Sequence, residues 1–250
     1  KMGYRAVARP MWNMMDKRLC SDEQDAATPW PAMGGASAAD LAAALLQSRQ
    51  TILPKRLGAP GPDAAQLQAM LAAAGHAPDH GRLLPWRFVL VPQEARAALA
   101  EVFAQALCER DSAATPEQQE QAREKAFRAP LLLLLAVDEL GGDPDIVPAE
   151  RLVSAGCAVQ NLLLMATALG FGSALTSGKA LQSQGLRALF ALGTGERALC
   201  FVSVGTVLAR KPARVRPVPA QYVSTLVPGV GLQPWMDKGG HGHEDRNQPL

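Results

Sequence analysis

The chain has 250 residues and a mass of 26.5 kDa, enough for one large α/β domain with its own core. Hydrophobic residues make up 48%, charged residues 19% and aromatic residues 5%, which excludes a collagen, a mini-protein and a wholly disordered chain and leaves Ala, Leu and Val to fill the core. A formal charge of +2 from 25 basic and 23 acidic residues is too balanced for affinity built on phosphate neutralisation, so nucleic acid is not an expected partner. Residues 1–36 are rich in small residues, Pro and Gly without an apolar period, and are expected to be a flexible N-terminal extension. Organised sequence starts at Ser37, an N-cap whose S-A-A-D run opens a helix ending near Arg49. The linker LPKRLGAPGP follows, and Asp63 with Gln66 forms a second capping-box signature for a helix that ends at Gly75.

Residues 86–92, WRFVLVP, predict a strand; 94–110 predict a long amphipathic helix, and 116–127 a polar, solvated one. The run from Leu131 to Val137 is apolar at every position, the pattern of a central strand buried on both faces, and falls far short of the roughly 20 residues of a membrane span. An almost uncharged helix is expected from Pro148 to Gly170; it needs burial on every face, inside the fold or across a subunit interface. A short helix over 185–192 and a strand over 198–206 complete the pattern. It predicts a single α+β (mixed α/β) domain with helices around one sheet, over residues 37–228, followed by a disordered tail at 229–250.

Standard catalytic signatures are absent: no G-x-S-x-G, no H-E-x-x-H and no Walker A. Gly193-Thr-Gly195 precedes a strand rather than following one and is read as a turn. His76 and His80 have helical ligand spacing, but Pro78 between them breaks the helix that would align them, and His241 and His243 lie in the tail; no metal site is expected. Cys20, Cys108, Cys157 and Cys200 lie far apart with no C-x-x-C pair, so neither a zinc site nor a disulfide framework is encoded, which fits a reducing cytoplasm. Arg49-Gln50-Thr51 puts a cation, an amide and a hydroxyl at a helix end, a cluster able to grip a phosphate or to lie solvated on the surface. Arg210, Lys211, Arg214 and Arg216 have the same two readings.

Four stretches in order, LLQSRQT at 45–51, GHAPDHGRLLPWRFVLV at 75–91, SAGCAVQNLLLMATALGFGSALTSG at 154–178 and FVSVGTVLARKPARVRP at 201–217, resemble the FMN-dependent nitroreductase family and its small YdjA-like branch. The resemblance covers about residues 40–226. It implies an intertwined homodimer with a central, mostly antiparallel sheet flanked by helices, and an FMN site built from both subunits. It further implies that NADH or NADPH reduces the flavin, which then reduces nitroaromatic, quinone or related small acceptors, with no membrane and no nucleic acid involved. Because hydride moves between two rings, no catalytic side chain is demanded.

By the same resemblance, Arg49, Gln50 and Thr51 match an Arg-Arg-Ser grip on the FMN phosphate and ribityl chain. His76 matches an Arg, and His80 the His after A-P-D, both near FMN. Leu175, Thr176 and Ser177 match a Trp-Arg-Ser segment against the flavin. Met165, Ala166, Thr167, Ala168, Leu169 and Gly170 match a helix end associated with the nicotinamide nucleotide, and Lys211 and Arg214 are the extra phosphate partners. Gln50, His76 and Thr176 each replace a permanent cation, which weakens the expected grip on FMN, because charge-assisted bonds are the stronger ones. Those losses motivate a second reading, a flavin-binding redox sensor or carrier without efficient turnover, and a third, a structural dimer whose cofactor site has decayed.

Overall fold

The computed structural model describes residues 37–210, 212 and 214–236. The expected N-terminal extension, Lys211 and the chain after 236 lie outside these residues. The chain divides into two units between Ala44 and Leu45, inside the first helix, and the second unit carries the sheet and every candidate site residue.

α1 (Ala38–Ser48) starts as its sequence demands: Asp40 N donates to Ser37 Oγ at 3.1 Å and Ser37 N to Asp40 Oδ2 at 3.2 Å. α2 (Ala64–Ala74) carries the expected capping box, with Gln66 N donating to Asp63 Oδ1 at 2.8 Å and Asp63 N to Gln66 Oε1 at 2.9 Å. Between them lies β1 (Leu57–Gly58), two residues within the stretch read as a linker. β2 (Trp86–Leu90), α3 (Arg96–Arg110), α4 (Pro116–Glu124), β3 (Leu131–Asp138), α5 (Pro148–Ala168), α6 (Gln184–Leu189) and β5 (Glu196–Val207) all fall where the sequence pattern puts them. β4 (Gly172–Thr176) is an addition; its five residues, opened by Gly, are too short for a period to show.

The sheet runs β1-β5-β3-β2, with β4 also on β5, and every strand pair in it is antiparallel. β3 is interior, and its alternation explains why no polar residue interrupts it. Leu131, Leu133, Leu135 and Val137 join a core with α2 and α5; Leu132 and Leu134 join a second core with α3 and α6. At about 1.5–3 kcal/mol per fully buried side chain, this strand anchors both layers. Gly193 to Gly195 is a turn, closed by Glu196 N donating to the Gly193 carbonyl at 2.9 Å.

α5 lies against β2, β3, β4 and α2. Its length and composition alone would suit a membrane span, yet Ala155, Ala158, Leu162 and Ala166 are wholly buried in the core. Within one chain it is not covered on every face: Val153 is 65% exposed, and Gly156 and Ala168 are exposed along the same helix. The chain also stays ordered past the expected boundary at 228. β6 (Ser224–Val227) and β7 (Gly231–Pro234) form a hairpin whose turn uses Gly229 at φ +77°, so residues 229–234 belong to a paired element and not to a disordered tail. The expectation of disorder came from composition, which does not register cross-strand pairing.

Candidate functional site

The segment after α1 runs beside the start of β4. Thr51 pairs with Ser173 in a single parallel bridge, and Ile52 N donates to the Ser173 carbonyl at 2.9 Å. Arg49, Gln50 and Thr51 are thereby fixed next to β4, which ends in Leu175 and Thr176 and is followed by Ser177. The Ser173 hydroxyl at this junction is buried without a hydrogen-bond partner among the described residues. Leu175 is 42% exposed, although it is paired in the sheet opposite Val202. An apolar side chain held outward on a rigid strand suits a contact surface better than a core.

Arg49 is half-buried, and burial followed by the nearby charge of Arg216 lowers its guanidinium below the ordinary arginine value. Arg216 Nη2 donates to the Arg49 carbonyl at 3.1 Å, so the C-terminal segment crosses directly over the first. Among the described residues no carboxylate pairs with either guanidinium. Two like charges near one another without a bonded carboxylate leave positive charge unbalanced at this point among the described residues. Of the C-terminal cations, Arg216 is the one bonded to the Arg49 segment; Arg214 and Arg216 are both exposed, and Lys211 lies outside the described residues.

Thr176 and Ser177 open onto a cavity of about 520 Å³. Its apolar wall includes Phe103, Leu107, Leu132 and Phe201, and its cations are Lys55, Arg110, Lys125, Arg128 and Lys179; among the described residues no acidic one lines it. None of those five cations was legible as a site residue. Lys55 sits in a stretch that reads as a linker, and Lys125 and Arg128 at the end of a helix that reads as solvated surface. They come from four separate segments, and no local spacing signals that they converge.

The remaining candidates lie elsewhere. His76 is exposed just after α2, and His80 is exposed in the loop before β2; neither lines the cavity of its own chain. His80 Nδ1 meets Glu150 Oε2 at 2.6 Å, at the first turn of α5. Gly170 and the Thr51–Ser173 junction follow the other end of α5, about 27 Å away along its axis at 1.5 Å per residue. Of the helix-end group, Ala166 is fully buried, and Met165 and Leu169 pack against the core. Thr167 Oγ1 donates to the Leu163 carbonyl at 2.9 Å, which leaves Ala168 and Gly170 as the exposed members.

Comparison with known proteins places this geometry. A nitroreductase family profile matches residues 46–206, from just before Arg49 to the end of β5. A protein of Haemophilus influenzae, provisionally named an NAD(P)H nitroreductase, is 34% identical over 165 residues, covering 65% of this chain and 87% of that one. YdjA of Escherichia coli K12, also provisionally named an NAD(P)H nitroreductase, is 31% identical over 170 residues, covering 68% and 91%. The crystal structure of a mutant of NfnB, an FMN and NADPH-dependent nitroreductase from a Sphigopyxis strain, superposes with a TM-score of 0.59 at 19% identity, covering 73% of this chain and 97% of that one. The match spans Arg49–Thr51, β4 and the sheet that joins them, and the chain belongs to the nitroreductase family.

Proposed function

We propose that the protein is an FMN-dependent oxidoreductase that takes electrons from NADH or NADPH and passes them to small acceptors of the nitroaromatic or quinone class, working as a homodimer in the cytoplasm. The observation that carries this reading is the apolar cavity with five cations and, among the described residues, no acid on its wall, lined by Thr176 at the end of β4, the strand that Thr51 bridges at Ser173. FMN has a doubly charged phosphate and a flat, largely apolar ring with polar edges, and the residues present fit both parts. Arg49 and Arg216 suit the phosphate. The wall of Phe103, Leu107, Leu132 and Phe201 suits an aromatic ring, with Thr176, Ser177 and the surrounding lysines available to its polar edge. When bound, FMN would supply the redox centre itself. The chain's own part is to hold the ring, exclude water on the apolar side and balance negative charge.

The cavity cations also answer the losses at 50, 76 and 176, because positive charge removed from those positions is present at Lys55, Lys125 and Lys179 instead. This favours a loaded, working site over a sensor or a decayed one. The dimer is supported by the uncovered face of α5 and by the separation of His80 from the Arg49 cluster within one chain. The test is an absorption spectrum after incubation with excess FMN and desalting, followed by anaerobic NADPH. Retained yellow that bleaches is the expected result; a colourless protein overturns the reading.

A further inference from the structure

The cavity beside Thr176 has a floor and a rim of opposite character. Leu132, Leu181 and Phe201 belong to the core shared with α3 and α6, and Thr176 stands directly opposite Phe201 on the same face of the sheet. The Phe103 ring meets Phe201 edge-on, with centroids 5.5 Å apart and planes at 88°, and Phe190 meets it at 6.0 Å. Two such contacts fix the Phe201 ring, so the apolar floor is formed in advance of any ligand.

The rim is cationic. Lys55, Lys125 and Lys179 are exposed around the floor, and each stands on a single turn of 3-10 helix, at Pro54–Arg56, Lys125–Phe127 and Lys179–Gln182. Each turn is tied down through its backbone. Arg56 N donates to the Leu53 carbonyl at 2.8 Å, Leu181 N to the Gly178 carbonyl at 3.0 Å, and the buried Arg96 Nη1 to the Ala126 carbonyl at 2.6 Å. Three lysines from segments far apart in sequence therefore border one floor from fixed backbone positions. None of them forms an ion pair among the described residues, whereas Arg128 Nη2 lies 4.0 Å from Glu124 Oε2 and Arg110 Nη1 donates to the Ala106 carbonyl at 3.5 Å. With 25 basic and 23 acidic residues in the chain, composition does not force like charges together, and their mutual repulsion here is relieved only by an anion.

FMN accounts for part of that charge. Its phosphate suits Arg49 and Arg216, its oxidised ring is neutral, and reduction adds one negative charge to the ring. One lysine opposite that charge leaves two. Resting on the reading of the protein as an FMN oxidoreductase, we propose that the cavity selects acceptors carrying an anionic group, a carboxylate or sulfonate, on the aromatic body that bears the nitro or quinone function, with Lys55, Lys125 and Lys179 as the specificity-determining residues. The floor takes the ring and the rim takes the anion, so a neutral acceptor of the same shape gains the floor alone. The nicotinamide nucleotide is an anion too, but its charges lie on phosphates many bonds away from the ring it presents. A rim that borders an apolar floor directly matches an anionic group attached to the ring itself. The field of the rim also draws anions inward, which places the preference in KM rather than kcat and makes it weaken with salt.

The test compares 4-nitrobenzoate with 4-nitrobenzamide, two acceptors of one shape that differ in charge, on FMN-loaded full-length protein. It reads kcat/KM with NADPH, and, without NADPH, the Kd for the oxidised protein from the change in the flavin spectrum. The carboxylate is expected to be preferred roughly 10-fold in both, with the preference shrinking as NaCl rises to about 0.5 M. In Lys55→Gln, Lys125→Gln and Lys179→Gln the ratio of carboxylate to amide is expected to fall by roughly 2- to 5-fold each, a ratio that does not depend on how much flavin each variant holds. Equal values for the two acceptors in wild-type protein that bleaches with NADPH overturn the inference and leave the oxidoreductase reading intact. So does a preference that survives unchanged in all three variants, whether they instead raise the KM for NADPH or lose FMN. Wild-type protein that retains no FMN, or does not bleach, overturns both.

Discussion

Two pairs of arginines in this chain have opposite surroundings. Arg96 and Arg151 are almost wholly buried, and each guanidinium is spent on backbone carbonyls: Val91, Ala126, Ala129 and Pro130 for Arg96, and four carbonyls of the 138–146 loop for Arg151. Arg216 reaches the Arg49 backbone carbonyl and its charge lowers the Arg49 guanidinium, with no carboxylate bonded to either among the described residues. Saturation by the chain's own acceptors marks a cation that builds structure, whereas charge left over marks one that waits for an anion. The same distinction separates Arg151, which organises the loop behind His80, from the cavity lysines Lys55, Lys125 and Lys179, which form no ion pair among the described residues.

The sharpest way to break this comparison is Arg96→Met. It would leave up to four buried carbonyls without donors, at a cost of about 3 to 5 kcal/mol, read as a lower urea midpoint. A near-neutral result would mean that water reaches these carbonyls and that saturation is a poor marker.

Arg216→Ala should behave in the opposite sense. Stability stays within about 0.5 kcal/mol, while FMN affinity falls roughly 10- to 100-fold in a fluorescence titration, the value of one lost charge-assisted bond. Arg214→Ala should lose less. Equal losses at 214 and 216 would remove the distinction drawn between them.

Glu196 sits between the two extremes. Burial alone would raise its carboxyl, but hydrogen bonds from Arg87 Nε at 2.6 Å, Arg87 Nη2 at 3.0 Å and Gly193 N at 2.8 Å, with the charges of Arg87 and Arg187, outweigh it and hold the carboxyl below its ordinary value of 4.5. A depressed carboxyl contributes stability that is fully present above the ordinary value and lost as pH falls through the folded one. Wild type should therefore exceed Glu196→Gln by about 1 to 2 kcal/mol at neutral pH, and the gap should close in acid, as followed by urea unfolding at several pH values. A gap that is constant with pH would assign the effect to packing.

The smallest effect concerns the thiols. Burial pushes the Cys200 thiol up to about 11, whereas Cys108 and Cys157 are only partly covered. Mild alkylation of the native protein should label the latter two and spare Cys200, as peptide mass mapping would show. Protection of Cys157 as well would support the dimer, since it lies beside Gly156 on α5.

The elements of the fold were legible wherever a signal lies within a few neighbouring residues. Ser37 with Asp40 and Asp63 with Gln66 announce their helices because a capping box closes within one turn. Leu131 to Val137 announces an interior strand because burial on both faces removes every polar residue. β1 and β4 were not announced, since strands of two and five residues owe their existence to β5 and not to any period of their own. The hairpin strands at 224–234 exist likewise through pairing, in their case with each other.

The site divides in the same way. Arg49 to Thr51 and Leu175 to Ser177 were singled out through the order of the motifs, and in the structure their segments meet at the Thr51–Ser173 bridge. The convergence of Lys55, Arg110, Lys125, Arg128 and Lys179 on one cavity, and the choice of Arg216 as the cation beside Arg49, were decided by tertiary structure alone. A charge in the sequence has no address until the chain has folded. Local patterns determine which residues form helices and strands, because those interactions are short in sequence; where unspent charges meet depends on packing between segments more than a hundred residues apart.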